Sequence, residues 1–104
     1  MKLLNIDHIP GKEIEPLGIV KGTVVHTKNV GRDFMAAMKT LVGGELVGYT
    51  QMLNEARQIA VKRMVDEAQA LGADAVINIR YGTSSVMSGA AEVIAYGTAV
   101  KIIN

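Results

Sequence analysis

The sequence contains no cysteine and no tryptophan, and it has only two prolines and a single phenylalanine. Without cysteine the chain can form neither disulfides nor thiolate metal sites, and it has no cysteine nucleophile. No segment approaches the about 18 consecutive apolar residues that a membrane-spanning helix requires. The first apolar run, before Asp7 and His8, is too short for a signal peptide. The expectation is therefore a cytoplasmic protein with no membrane partner.

Charge of one sign is nowhere concentrated. The chain carries 11 Lys and Arg against 10 Asp and Glu, and neither half of it collects one sign. Proteins that bind nucleic acid usually carry a basic stripe or tail, together with aromatic side chains on which bases stack. This chain has three tyrosines and one phenylalanine, so the sequence predicts no nucleic-acid partner.

The composition that remains is globular. Hydrophobic residues make up 49% of the 104 residues and charged residues 20%, which fits one folded domain over residues 1–104. A domain of this size has a modest core. Apolar surface that is left over after folding is therefore a useful guide to what the protein contacts.

Local patterns predict the order strand, helical segment, strand, strand. Pro10-Gly11 ends a short first strand, β-branched residues mark the second, and the last segment is apolar on both faces, which is typical of a central strand. The predicted strands cover residues 2–9, 17–28, 74–81 and 92–103, and the predicted helices cover 31–42 and 45–71.

The long helix carries one clear apolar stripe and one weaker stripe. The main stripe follows the 3.6-residue period and consists of Tyr49, Leu53, Ala56, Ala60, Met64, Ala68 and Leu71. The weaker stripe of Ile59, Val61 and Val65 indicates either a second neighbour, such as another subunit, or one wide stripe over a small core. On the polar side, Lys62 with Asp66 and Arg63 with Glu67 have the spacing of ordinary surface ion pairs.

Histidine and carboxylate side chains offer one candidate metal site. In the absence of cysteine, a site needs three or four ligands from His, Asp and Glu. His26, Asp33 and Glu45 are the residues that could meet in space, although no clustered His motif supports them. A hydrogen-bonded histidine at the end of a strand is the simpler interpretation of His26.

The strand over 74–81 carries the other candidates. Alternation places Ile77, Ile79 and Tyr81 on one face, and Asn78 and Arg80 on the other. An arginine on a mostly apolar strand needs a carboxylate partner if it is buried, and it more often orders an interface than performs chemistry.

Taken together, several segments resemble the YbjQ-like family of bacterial and archaeal proteins, and the resemblance covers about residues 3 to 103. The segments are Gly18-Ile19-Val20-Lys21-Gly22, Val30-Gly31-Arg32-Asp33-Phe34, Val42-Gly43-Gly44, Tyr49 through Ala60, Leu71-Gly72-Ala73-Asp74-Ala75-Val76 and Tyr96-Gly97-Thr98-Ala99-Val100.

The resemblance implies an α+β fold like that of a dodecin subunit. This is a β-α-β-β two-layer sandwich with an antiparallel sheet whose last strand is central, plus a short N-terminal strand. It also implies a homopentamer that closes into a ring, in which the short first strand is available to extend a neighbour's sheet. Arg32 and Asp33 match the family's Arg-Asp-Phe segment and become candidates for a subunit junction or pocket.

Three functions are consistent with these observations. The first is a non-enzymatic oligomer that binds a small ligand or ion at its subunit junctions, with Arg32, Asp33, Arg80 and Tyr81 as candidate residues. The second is heavy-metal binding, the property by which the family it resembles is often described, with a metal ion held by His26 with Asp33 or Glu45. The third is an enzyme whose active site is shared between subunits and built from the same four junction candidates.

Overall fold

The computed structural model describes residues 1–27, 41–42, 45–87 and 90–104. Within these residues one helix, α1, spans Val47–Ala70. The strands are β1 Lys2–Leu3, β2 Ile14–Thr27, β3 Leu41–Val42, β4 Glu45–Leu46, β5 Ala75–Met87 and β6 Ala90–Ile102. The predicted helix over 31–42 lies outside the described residues, except that its last two residues form β3 and not helix.

The main sheet has the strand order β1-β5-β6-β2, so the last strand is internal, as predicted. β6 is antiparallel to both β2 and β5, and the order β2-α1-β5-β6 is the β-α-β-β unit that the resemblance implies. The three strands of this unit are antiparallel, as the resemblance implies, and the short N-terminal strand makes the sheet mixed, because β1 pairs with β5 in parallel. β3 and β4 form a separate two-stranded hairpin.

α1 packs on one face of this sheet, mainly over β2 and β6. We call this the inner face and the opposite one the outer face. Four members of the predicted main stripe are completely buried there: Ala56, Ala60, Met64 and Ala68. Ile59 and Val61 are half-buried against the same core, which favours one wide stripe over two separate ones. Leu71 lies past the end of α1 and is exposed.

Alanines on α1 and glycine on β2 allow a close approach between helix and sheet. Gly22 lies directly under the helix. A Cβ atom added there would overlap the carbonyl oxygen of Ala60 and lie 2.5 Å from the nitrogen of Met64. Both are backbone atoms that cannot move aside without shifting the helix. Glycine is therefore required at this position by space, because no side chain fits between the two layers.

A β-bulge divides β5 into two halves. The pairing with β6 shifts between Ile77 and Arg80, and Asn78 has a φ of 54°, which asparagine tolerates better than most residues. The extra residue places Ile77 on the outer face, where it packs with Ala75, and Ile79 on the inner face. The prediction that Ile77 and Ile79 share a face is therefore wrong, because simple alternation does not hold across a bulge.

The N-terminal segment covers part of the outer face. Ile9 is buried there against Ile77 and Val100. The backbone of this segment also bonds to the edge of β5, since Leu4 donates to the Val76 carbonyl at 2.9 Å. The predicted strand over 2–9 is thus reduced to β1. This strand pairs with β5 of its own chain.

The described chain is elongated. Its longest dimension is 54 Å and its radius of gyration is 16.8 Å, whereas a compact domain of this length has a radius of about 13 Å. Strands of 13 and 14 residues explain the length, because each residue adds about 3.3 Å. No helix among the described residues combines the length and apolar character needed to cross a bilayer.

Substituting Gly22→Ala should reduce the free energy of unfolding by about 2–3 kcal/mol, because the new methyl group meets backbone atoms of α1. Urea denaturation followed by circular dichroism measures the change. Gly82→Ala is the matched control, since its Cβ would meet only the methyl group of Ile94, at 3.0 Å. Equal midpoints for the Gly22→Ala variant and the unsubstituted protein would show that the layers are not in the contact described.

Candidate functional site

An open groove of about 580 Å³ lies beside α1, next to the part of β5 that follows the bulge. It exists because α1 packs over β2 and β6, so it leaves the inner face of β5 largely uncovered beyond the bulge. Tyr81, 54% exposed, forms the strand side of the groove. The helix side consists of Asn54, Arg57, Gln58, Val61 and Lys62.

The groove surface is mostly apolar, with polar groups from two cations, Arg57 and Lys62, and from two amides and a phenol. The guanidinium group of Arg57 donates a hydrogen bond to the side-chain oxygen of Asn54. Lys62 Nζ lies 3.0 Å from the Asp66 carboxylate, so this predicted ion pair is present. With these donors on a mainly apolar surface, the groove suits a small molecule that has an apolar body and a polar or anionic group.

Arg80 and Tyr81 are both exposed, but they point to opposite faces of β5. Tyr81 pairs with Ala95, which belongs to the core under α1, whereas Arg80 pairs with Tyr96 on the outer face. The two candidates therefore do not form one site within a single copy. Arg32 and Asp33, the other two junction candidates, lie outside the described residues.

The proposed metal ligands are only partly described. His26 belongs to β2 and Glu45 to β4, but their side chains lie outside the described set, as does all of Asp33. In the described part of the chain, no group of three His, Cys, Asp or Glu side chains is placed to hold a metal ion. Because the sequence also lacks cysteine, these residues do not fit a thiolate heavy-metal centre.

The second imidazole, His8, lies on the exposed N-terminal segment. Its Nδ1 is 2.9 Å from the carboxylate of the preceding Asp7. This hydrogen bond, together with the charge of the imidazole, holds the pKa of Asp7 below its ordinary value of 3.8. Both side chains are solvated, so the pair is a local surface contact.

Two helix side chains bind the free edge of β2, which is the edge that faces away from β6. Arg63 donates to the carbonyl oxygen of Thr23 at 2.7 Å, and the Glu67 carboxylate accepts a hydrogen bond from the Lys21 backbone N–H at 3.3 Å. Sequence spacing predicts that Arg63 and Glu67 pair with each other. Each instead satisfies a backbone group that an edge strand would otherwise present to another chain.

On the outer face, three polar side chains lie in one row across the sheet. Tyr96 of β6 is paired with Lys21 of β2 on one side and with Arg80 of β5 on the other. Directly opposed residues in an antiparallel pair share a face. Local sequence patterns do not predict this row, because it depends on a register that the bulge in β5 sets.

Comparison with known proteins identifies relatives over the full length of the chain. A family model described as "Putative heavy-metal-binding" matches residues 1–103. A UPF0145 protein of Clostridium novyi is 65% identical over 103 residues, covering 99% of this chain and 100% of that protein. The UPF0145 protein of Thermotoga maritima is 57% identical over 103 residues, covering 98% of this chain and 97% of that one.

A solved structure supports the fold. It is a crystal structure of a protein of unknown function of the DUF74 family from Pediococcus pentosaceus. It aligns with a TM-score of 0.66 at 19% identity, covering 99% of this chain and 98% of that one. At this identity the likeness concerns the fold alone. The sequence matches carry the assignment, and by them the chain belongs to the YbjQ-like family, whose relatives bear the name UPF0145.

Proposed function

We propose that this protein works as a non-enzymatic homo-oligomer that closes into a ring, with small ligands bound where two copies meet. The observation that carries the proposal is the open edge of β5 beyond its bulge. β1 and the segment after it cover this edge only as far as Ile79, whose N–H donates to the Leu4 carbonyl at 3.1 Å. Residues 80–87 continue the strand past that cover.

The pairing pattern fixes which backbone groups point outward from β5. Groups at Lys21 and Thr23 point away from β6, since helix side chains bind them. Because backbone direction alternates from residue to residue, the register then turns the groups of Tyr81 and Thr83 away from β6 as well. An edge of this kind, with Arg80 as its one charged residue, readily pairs with another strand.

The two long edges of the sheet differ in whether helix side chains bind their outward backbone groups. Arg63 and Glu67 occupy the middle of the β2 edge, whereas no described helix side chain does so at Tyr81 and Thr83. Unequal edges favour head-to-tail association, which closes into a ring when the rotation between copies allows it. We propose that the β5 edge of one copy pairs with the next copy at β2 beyond Thr23. The number five follows from the family resemblance alone.

The groove beside α1 then becomes a junction site. A strand added along β5 would lie next to Tyr81 and close the open side of the groove, which the described copy leaves to solvent. The described lining contains neither a carboxylate nor an imidazole, and its polar groups are mainly hydrogen-bond donors. We therefore propose binding, and not catalysis, at this position.

Replacing Thr83 with proline tests the strand pairing. Proline removes the outward N–H of residue 83 while leaving the bonds to β6 in place, so it should block association and spare the fold. We expect the unsubstituted protein to sediment as an oligomer, at about 55 kDa for five copies of 11.1 kDa. The Thr83→Pro variant should sediment near 11.1 kDa with an unchanged circular dichroism spectrum.

Thr83→Ala is the matched control, because it removes the same side chain and keeps the N–H. It should remain oligomeric. The proposal is wrong if the unsubstituted protein is a folded monomer at micromolar concentration, or if the proline and alanine variants sediment alike.

Metal binding is the second candidate function, because the matching family is described by it. The residues proposed for it are His26 with Asp33 or Glu45. Because the chain has no cysteine, we expect these residues not to bind a heavy metal. Titration with zinc, copper and nickel should therefore give the same calorimetric heats for the unsubstituted protein and for His26→Ala. Loss of a one-to-one binding isotherm in His26→Ala, with the same isotherm kept in His8→Ala, would instead establish the metal site.

A further inference from the structure

We propose that the outer face of the sheet carries an anion-binding site formed by Lys21, Tyr96 and Arg80, which takes a compound with a diphosphate or triphosphate group. The site lies within one chain and on the face opposite the groove. One copy supplies all three residues, so the site does not require the assembly proposed above, although Arg80 lies on the strand that would pair with the next copy.

The three side chains belong to neighbouring strands in one register row. Adjacent strands are about 4.8 Å apart, which places the Lys21 and Arg80 backbones about 10 Å from each other, with Tyr96 between them. All three residues are exposed. Flanking residues confirm the common face, because Val20, Ala95 and Ile79, one step along each strand, belong to the core under α1.

The charges of the row are not neutralised by the described residues around them. Neither Arg80 nor Lys21 has a carboxylate within ion-pair distance there. Glu92 lies four residues along β6, about 13 Å away. Glu67 reaches the Lys21 backbone from the opposite side of the sheet edge. The row is thus a local excess of two positive charges in a chain whose net charge is only +1.

Packing within the sheet explains the aliphatic parts of Lys21 and Arg80 but not their charged groups. The aliphatic stems of Lys21 and Arg80 can cover the ring of Tyr96, which stabilises cross-strand pairs. Such packing leaves the ammonium and guanidinium groups in solvent, on the two sides of a phenol hydroxyl. Three donor groups therefore lie on the same exposed face, on three neighbouring strands.

This arrangement selects for a phosphate group. A guanidinium donates two parallel hydrogen bonds to phosphate oxygens, lysine contributes a point charge, and the phenol donates one further bond. A single small anion reaches both cations only if their side chains lean inward. A diphosphate chain spans the gap between them more easily, which is why we assign the longer anion.

Calorimetric titration with sodium pyrophosphate tests the site in the full-length protein at low ionic strength. We expect one saturable site per chain. Arg80→Gln and Lys21→Gln should each weaken binding at least tenfold, since each removes a charged hydrogen-bond donor to the anion. Lys12→Gln is the matched control. It removes the same charge from an exposed turn away from the row, and its affinity should equal that of the unsubstituted protein.

Tyr96→Phe distinguishes binding at a defined site from general attraction to positive charge. It removes only the hydroxyl and no charge, and it should weaken binding by a smaller factor. Vesicles that contain anionic phospholipid distinguish the source of the phosphate. Binding to vesicles without binding to pyrophosphate would overturn the proposal of a small anion. Absence of saturable heat, or equal loss of affinity in Lys12→Gln and Arg80→Gln, would also overturn it.

Discussion

The contact between Gly22 on β2 and the backbone of Ala60 on α1 sets the spacing of the two layers. Every other inner-face contact depends on that spacing, because the core is built from small side chains, including Ala56, Ala68 and Ala95, which bury little surface unless helix and sheet are close. The same close approach brings Arg63 and Glu67 within reach of the β2 edge. Core packing and edge protection are thus consequences of one missing side chain.

Much of this architecture follows from local patterns. The period of α1 predicts its buried alanines and Met64, and the apolar character of β6 on both faces predicts its internal position. Family resemblance predicts the β-α-β-β order. What the patterns miss is long-range: the bulge at Asn78 depends on Gly97, whose missing side chain leaves room for the Ile77 carbonyl. No local window around residue 78 contains that information, so the separation of Ile77 from Ile79 and Tyr81 could not be predicted beforehand.

The candidate site was only partly predictable for the same reason. Tyr81 follows from its strand, but its groove partners on α1 depend on where the helix crosses the sheet. Tyr96 and Lys21 do not stand out in the sequence, because each is one of several polar residues spread along a mostly apolar strand. Pairing across three strands turns them into neighbours. A nearly neutral composition therefore does not exclude a local basic surface.

The bulge also determines how the molecule presents its two faces. Compared with a strand that alternates regularly, its one extra residue exchanges the faces of the residues that follow it in β5, up to the next irregularity near Val86. If the same sequence ran through this point as a regular strand, Arg80 would face the helix and Tyr81 would face outward. A chain shortened by one residue at Asn78 would need no bulge and would keep both side chains on their present faces. The charge of Arg80 is thus held on the outer face by the bulge, which absorbs one residue of chain length without changing the faces of the strand beyond it.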